Sequence, residues 1–378
     1  MAQRLKTDWI LFFTTVAMVC FGLVMIYSAS SVMAELKYKW DMYFITRQLG
    51  WAAVSFFALM QLKRLDYRRF DNPVWAFAPL GIVTSLLVLV YFIGHKHRWL
   101  QIGKASLQPS EFAKPAMIIF LAYFISLRLR AINDKHTLRP AMLALGGVTA
   151  IVAGPDLGTA MMLALTAAVL FYVAGLERRY IIAAAGGGLL LLTIFVALKP
   201  YRLARVIARV DPDYKILARI NPSGEILAYA KRSEGASDPT YQPRQSRIAV
   251  GSGGVLGVGL MQGKQKLLYL PEAHTDYIYA VVGEELGMWG TTGLLFGFFV
   301  ILWRGLRLFY IAPDVFGRYL ALGITVSVVL QAIFNISVVL DMGPSKGIPL
   351  PMISYGGSSL LSTLISLGIL LSVSEHAG

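Results

Sequence analysis

The sequence is short of cysteine, of charge and above all of acid. Its 378 residues hold a single cysteine, Cys20, which excludes a disulfide within the chain. Only 15% of the residues are charged, where a soluble domain carries about 25%, so a water-soluble globule of this length is excluded. Asp and Glu number 21 against 35 Lys and Arg, a formal net charge of +14. No solvated basic domain accompanies that excess. It therefore argues against nucleic acid, and for anionic lipid or a phosphorylated substrate. Cys and His spacings that would mark a metal site are also missing.

What is present is apolar. Hydrophobic residues make up 56% of the chain, in blocks of about 20 instead of at period 2 or 3.6, the pattern of membrane helices. The fold class expected is an all-α polytopic membrane protein of about ten spans. These run roughly over 9–30, 48–62, 72–94, 112–128, 140–153, 157–175, 180–198, 277–303, 315–340 and 355–373. The first apolar block is too long for a signal-peptide core and reads as a retained span. Residues 1–378 read as one integral membrane domain.

Basic residues orient it. With the N-terminus in the cytoplasm, the inner segments hold Arg4, Lys6, Lys63, Arg64, Arg68 and Arg69 among others, nearly twice the Lys and Arg of the short outer loops. An even number of spans returns the C-terminus to the cytoplasm. The outer segment 199–276, between spans seven and eight, carries twelve Lys and Arg, but loops longer than about 60 residues escape the charge rule. Within it, "YRLARVIARVDPDYKILARI" sets Leu203, Val206, Ile207 and Val210 on one helical face and Arg202, Arg205 and Arg209 on another. That is either a basic amphipathic helix in the outer interface or a surface helix with snorkelling arginines. The polar stretch 231–240 reads as mobile. The glycines of 251–263 fit no phosphate-binding loop and read as tight turns and close backbone packing.

Ionisable residues at membrane depth mark function by default, and four clusters map to the outer side. In "RWLQIGKASLQPSEFAKPAM", Glu111 and Lys114 share a face at a helix start that Ser110 or Gln108 could cap; a plain helix-end ion pair is the alternative. In "GPDLGT", Asp156 opens a helix and could be no more than its cap. In "YLPEAHTDYIYAVVGEELG", Asp276 stands at the mouth of a span, again a possible cap. Glu284 and Glu285 lie two turns further in and read as bonded to neighbouring spans. In "DMGPSKGIPLPMISYGGSSLL", Pro and Gly break the helix beside Lys346. Together the clusters point to a polar cavity open to the outside, for an anionic ligand held partly in the bilayer.

"YSASS", "QPSEFAK", "PDLGT", "YQ…QS…GSGG…GVG", "LPEAHTDYI…GEELG" and "KGIPLPMISYGGSS" follow one another in that order. On these motifs, spread over residues 8 to 373, the chain resembles the SEDS family of shape, elongation, division and sporulation proteins. Lysine in "PSKGIPLP" and glycine in "GEELG" look more like the division member FtsW than the elongation member RodA. The loop 211–240 departs from the family pattern in being longer and more basic.

The resemblance implies a ten-span peptidoglycan glycosyltransferase of the bacterial cytoplasmic membrane that polymerises lipid II on the outer face. It implies a class B penicillin-binding protein as partner, with other divisome or elongasome proteins. It places the essential carboxylate at Asp276, as general base. The substrate-binding candidates are Arg98, Trp99, Ser110, Glu111, Lys114, Asp156, Gln245, Ser246, His274, Lys346, Ser354 and Ser358. A sugar hydroxyl is a poor nucleophile without a base, and a departing pyrophosphate needs Arg, Lys or a divalent cation, Mg or Mn. No organic cofactor is expected. Two other readings stay open: a lipid II flippase, which would need polar groups across the midplane, and a non-catalytic scaffold for the penicillin-binding protein.

Overall fold

Apolar blocks long enough to cross a bilayer must satisfy their own backbone, and they do so as helices. The computed structural model describes residues 7–93, 98–102, 105–197, 241–267, 269–343 and 347–376. Ten long helices lie among them: α1 (Trp9–Tyr38), α2 (Tyr43–Arg64), α3 (Pro73–Ile93), α4 (Pro109–Arg128), α5 (Lys135–Ala153), α6 (Leu157–Val173), α7 (Arg178–Ala197), α9 (Ile278–Ile311), α10 (Val315–Val339) and α11 (Gly357–His376). Each coincides with one of the ten spans read from the sequence. Seven of them are long and apolar enough to cross a membrane on length and composition alone; α6 is apolar but shorter. The second and fifth spans were read too short. Their helices run on through Lys63 and Arg64, and back to Lys135, because a long basic side chain can reach the interface while its backbone stays helical.

Four aspartates start four of these helices. Asp8, Asp134, Asp156 and Asp314 each accept a backbone N–H from the first turn of α1, α5, α6 and α10, the favoured use of a short acid at a helix N-terminus. Helices α4, α10 and α11 are the most buried and form the core. Around them, α2 runs along α11, α9 along α10, and α1 lies between α2 and α9. Small residues bring the backbones close, as membrane interfaces require: a Cβ on Gly368 of α11 would sit 2.9 Å from the Leu59 carbonyl oxygen of α2.

The inner end is tied shut by charge. Arg304 donates to Asp8 at 2.6 Å, Lys63 pairs with Glu375 at 3.5 Å, and Thr7 donates to Glu375 at 2.8 Å. The last contact puts both termini on one face, as an even number of spans demands.

On the outer side, a short antiparallel hairpin, β1 (Leu100–Ile102) and β2 (Ala105–Leu107), precedes α4. The long outer segment contributes α8 (Tyr241–Gly253), packed on α9 and α10. The expected amphipathic helix, the expected mobile stretch and the unusual loop 211–240 lie outside the described residues. After α8 the chain enters a break in α9, where Gly287 takes φ 60° and ψ −150°. The broken helix exposes carbonyls, and the loop supplies N–H groups: Val258 donates to Glu284 and Gly259 to Glu285, both at 3.0 Å, and Met288 donates back to Gly254 at 3.0 Å. A side chain on Gly257 would overlap the Glu285 backbone. These glycines serve close backbone packing, as read from the sequence.

Candidate active site

Between α10 and α11, residues 347–350 run without helix along the outer end of the bundle. Three of the four charged clusters are in place along this segment. The Asp276 carboxyl lies against Gly347, where any Cβ would overlap it. Asn335 of α10 donates through one amide nitrogen to two carbonyls, those of Asp276 and Ile348, each at 2.7 Å. The Ile348 side chain fills the notch at Gly158 of α6, 2.9 Å from where a Cβ would stand. One helical turn before Asn335, Gln331 donates to the Pro349 carbonyl at 2.8 Å and accepts from Lys114 at 2.5 Å. Lys114 in turn pairs with Glu111 at 2.8 Å.

The Glu111–Lys114 pair is therefore more than a helix-end ornament. Both groups are buried, and Gln331 links them to the 347–350 segment. Buried ions of this kind persist when paired and fully hydrogen-bonded. The capping role expected of Ser110 or Gln108 is not found. Gln108 occupies the N-cap position of α4 without a capping bond. Its amide instead donates to Ser110 Oγ and to Asp156 Oδ2, both at 2.9 Å. The following Pro109 has no N–H to satisfy, so the side chain is free to cross-link two helices.

Asp156 does cap α6, and it does more. Its Oδ2 also accepts from Arg98 at 2.9 Å and from the Thr159 hydroxyl at 2.7 Å. The Arg98 guanidinium carbon lies 5.9 Å from the Trp99 ring centroid. Asp276 is not the cap of α9: Tyr277 holds that position, with no side-chain bond to the first turn.

The other candidates sort by what they touch. Ser354 accepts from the Leu350 N–H at 2.8 Å and donates to the Thr275 carbonyl at 2.5 Å, clamping the 347–350 segment to the residue before Asp276. His274 is buried, its ring centroid 4.6 Å from that of Phe44 and 5.6 Å from that of Tyr355. Burial pushes its imidazole below the ordinary histidine range; Glu272 opposes this and Lys37 adds to it. Ser246 donates to the Val339 carbonyl at 2.6 Å and fixes α8 on α10, while Gln245 is half-buried on the same helix. Ser358 is buried in the first turn of α11. Lys346 lies outside the described residues.

Glu284 and Glu285 hold the loop that fills the break in α9. Glu284 accepts the N–H groups of Lys264 and Gln265 at 2.7 and 3.2 Å. Glu285 accepts from Lys266 at 2.5 Å and from Ser28 of α1, and Lys266 also donates to Ser28 at 3.0 Å. Charge inside this apolar span is structural, bonded to a neighbouring span as expected and to the preceding loop as well.

Among the described residues no group of three or more His, Cys, Asp or Glu could hold a metal ion. Glu111 and Asp156 are already compensated by Lys114 and Arg98. Among the described residues, the protein groups alone therefore do not fit a Mg or Mn site.

The profile of the cell cycle protein family that spans FtsW, RodA and SpoVE matches residues 8–378. The chain belongs to this family. A relative from Trichlorobacter lovleyi, named "Probable peptidoglycan glycosyltransferase FtsW", is 38% identical over 97% of this chain and 93% of its own. Stage V sporulation protein E of Bacillus subtilis is 36% identical over 99% of both. Among solved structures, a chain of a peptidoglycan synthase complex that coordinates polymerization and crosslinking superposes with TM-score 0.73, at 26% identity and 98% coverage of both chains. The rod shape determining protein RodA of Thermus thermophilus gives 0.69 at 25% identity, covering 98% of this chain and 97% of its own. The family, the fold and the apolar helices make this a multi-pass protein of the bacterial cytoplasmic membrane.

The two side chains of α10 that bond the 347–350 segment escaped the sequence reading. Gln331 and Asn335 are uncharged and stand four apart in an apolar run, on one helical face. That spacing of amides inside a span was the available signal.

Proposed function

We propose that the chain is a peptidoglycan glycosyltransferase that polymerises lipid II on the outer face of the cytoplasmic membrane, with Asp276 as general base. The observation that carries the reading is the setting of Asp276. It stands at the outer mouth of α9, partly exposed, with its backbone pinned by Asn335 and its carboxyl pressed on Gly347. A base must be held in place and still be reachable.

The reaction follows from that setting. Asp276 takes the proton of the acceptor sugar's 4-hydroxyl as its oxygen bonds to the anomeric carbon of the donor. The bond from that carbon to the lipid pyrophosphate breaks, and the pyrophosphate leaves with the electron pair. Arg98 and Lys114 offer N–H donors to the leaving pyrophosphate, and their carboxylate partners hold them in place. Any Mg or Mn ion would arrive on the pyrophosphate, and no step here runs through it.

The chain makes glycan on this reading but has no S-x-x-K acyl-transfer motif with the other transpeptidase signatures. Crosslinking falls to a class B penicillin-binding protein bound beside it. Relatedness to a chain from a peptidoglycan synthase complex supports this partner. Transport of lipid II is the weaker reading. A carrier opens to both sides, whereas here the polar groups gather at the outer end and ion pairs close the inner end.

Purified chain with labelled lipid II, with and without a class B partner, tests the proposal. Polymer is expected from the wild type, more with the partner, and none from a well-folded Asp276→Asn chain. Near-normal polymer from that variant would sink the assignment of the base.

A further inference from the structure

Two residues before Asp276, the chain borders a cavity of about 240 Å³ between α1 and the loop that leads into α9. Its lining includes Ala29 and Met33 from α1, and Lys266, Leu270, Glu272 and His274 from the loop. We infer that this cavity is a subsite for one uncharged, hydroxylated or N-acetylated sugar ring of the growing glycan.

The cavity is small. Pockets for drug-sized ligands measure roughly 300–1,000 Å³, so this one has room for a single ring and none for a disaccharide-peptide. Ala29, Met33 and Leu270 give it apolar walls, which suit the flat C–H face of a pyranose. Its polar groups are few. His274 is 5% exposed, and its ring packs on those of Phe44 and Tyr355. The residue lines the cavity, where a ligand can bond to it. A neutral imidazole both donates and accepts, which is what a sugar hydroxyl asks for. Lys266 has three N–H donors, and Glu285 and Ser28 take two of them. The third is left for a carbonyl or hydroxyl oxygen.

Charge decides between ligands. The Lys266 ammonium is already neutralised by the Glu285 carboxylate 2.5 Å away, and Glu272 adds an acid at the rim. A pyrophosphate would meet no uncompensated cation here and would face the Glu272 carboxylate. An uncharged ring fits both the volume and the balance. His274 stands two residues before Asp276, within about 7 Å along the chain, so the cavity borders the loop that carries the proposed base. The inference rests on the glycan-polymerising reading and names where the sugar chain is gripped.

The experiment is direct binding of a lipid-free glycan tetrasaccharide to the full chain in detergent, followed by saturation-transfer NMR. The variants are Ala29→Leu, which fills the cavity, and His274→Phe, which keeps a ring but can neither donate nor accept. Binding to the wild type should weaken about tenfold in each variant, the effect of one lost hydrogen bond or an occluded wall. Inorganic pyrophosphate should not compete. In the polymerisation assay the same variants should raise KM more than they lower kcat and should shorten the product strands. If Ala29→Leu fails to fold, His274→Phe carries the test. No tetrasaccharide binding to the wild type, equal binding in folded variants, or displacement by pyrophosphate would overturn the inference. Wild-type chain that binds the sugar but never polymerises lipid II would instead defeat the enzyme reading and leave the subsite standing.

Discussion

The carboxyl of Asp276 occupies the space where a Cβ on Gly347 would stand. One residue opens a span and the other belongs to the broken chain between α10 and α11, 71 positions later. Nothing larger than hydrogen fits between them. This contact and the two amide bonds from Asn335 join the third and fourth charged clusters into one site.

Gly347→Ala should therefore act on catalysis through Asp276. The added methyl must displace the carboxyl or the segment, and a misplacement of about 1 Å costs on the order of a hundredfold in rate. Lipid II polymerisation should drop by about that factor, while thermal unfolding in detergent shows a stable fold. A Gly347→Ala chain with wild-type turnover would show that the contact does not position the base.

Asn335→Leu keeps the side-chain bulk and removes the donor. The carbonyls of Asp276 and Ile348 then lose a shared partner inside the protein, at about 1–3 kcal/mol for each group left unpaired. Both the unfolding midpoint and kcat should fall. Asn335→Asp, which has the same shape but accepts where the amide donates, should do no better. Loss of stability with kcat preserved would make Asn335 a structural bond only.

The sequence made the spans legible because hydropathy reports lipid contact, and lipid leaves the backbone no alternative to helix. The site was legible where it is charged: Glu111, Lys114, Asp156 and Asp276 betray themselves inside apolar runs. Gln331 and Asn335 carry no charge and blend into α10, yet they bring those acids and bases to one segment. The break at Gly287 was hidden for a different reason. Glycine is common in membrane helices, and only the loop seated against Glu284 and Glu285 shows that this one leaves the helix. Pairing partners are long-range facts, such as Lys266 with Glu285 and Ser28, and no periodicity reports them.

Lys266→Met should destabilise the chain. It removes the cation from a wholly buried Glu285, and breaking a buried pair from one side costs about 3–5 kcal/mol. Replacing both, as Lys266→Met with Glu285→Gln, removes the stranded charge and should recover much of the unfolding midpoint. A double variant no more stable than the single one would mean that the pair matters through the loop it anchors and not through its charge.

His274 makes stability depend on pH. Its imidazole is buried against Phe44 and Tyr355, and burial holds its pKa below the ordinary value near 6.5. Lys37 acts in the same direction, and Glu272 pulls the other way without reversing it. In this window the unfolded chain binds the proton more readily than the folded one, so stability rises with pH. The contribution of His274 is fully present above about 6.5 and is lost as pH falls through the lower folded value. The unfolding midpoint in detergent should decline as the buffer is taken from pH 8 to pH 5, and His274→Gln, which cannot take the proton, should flatten that part of the curve. Parallel pH profiles for wild type and variant would show that the buried ring is not what titrates.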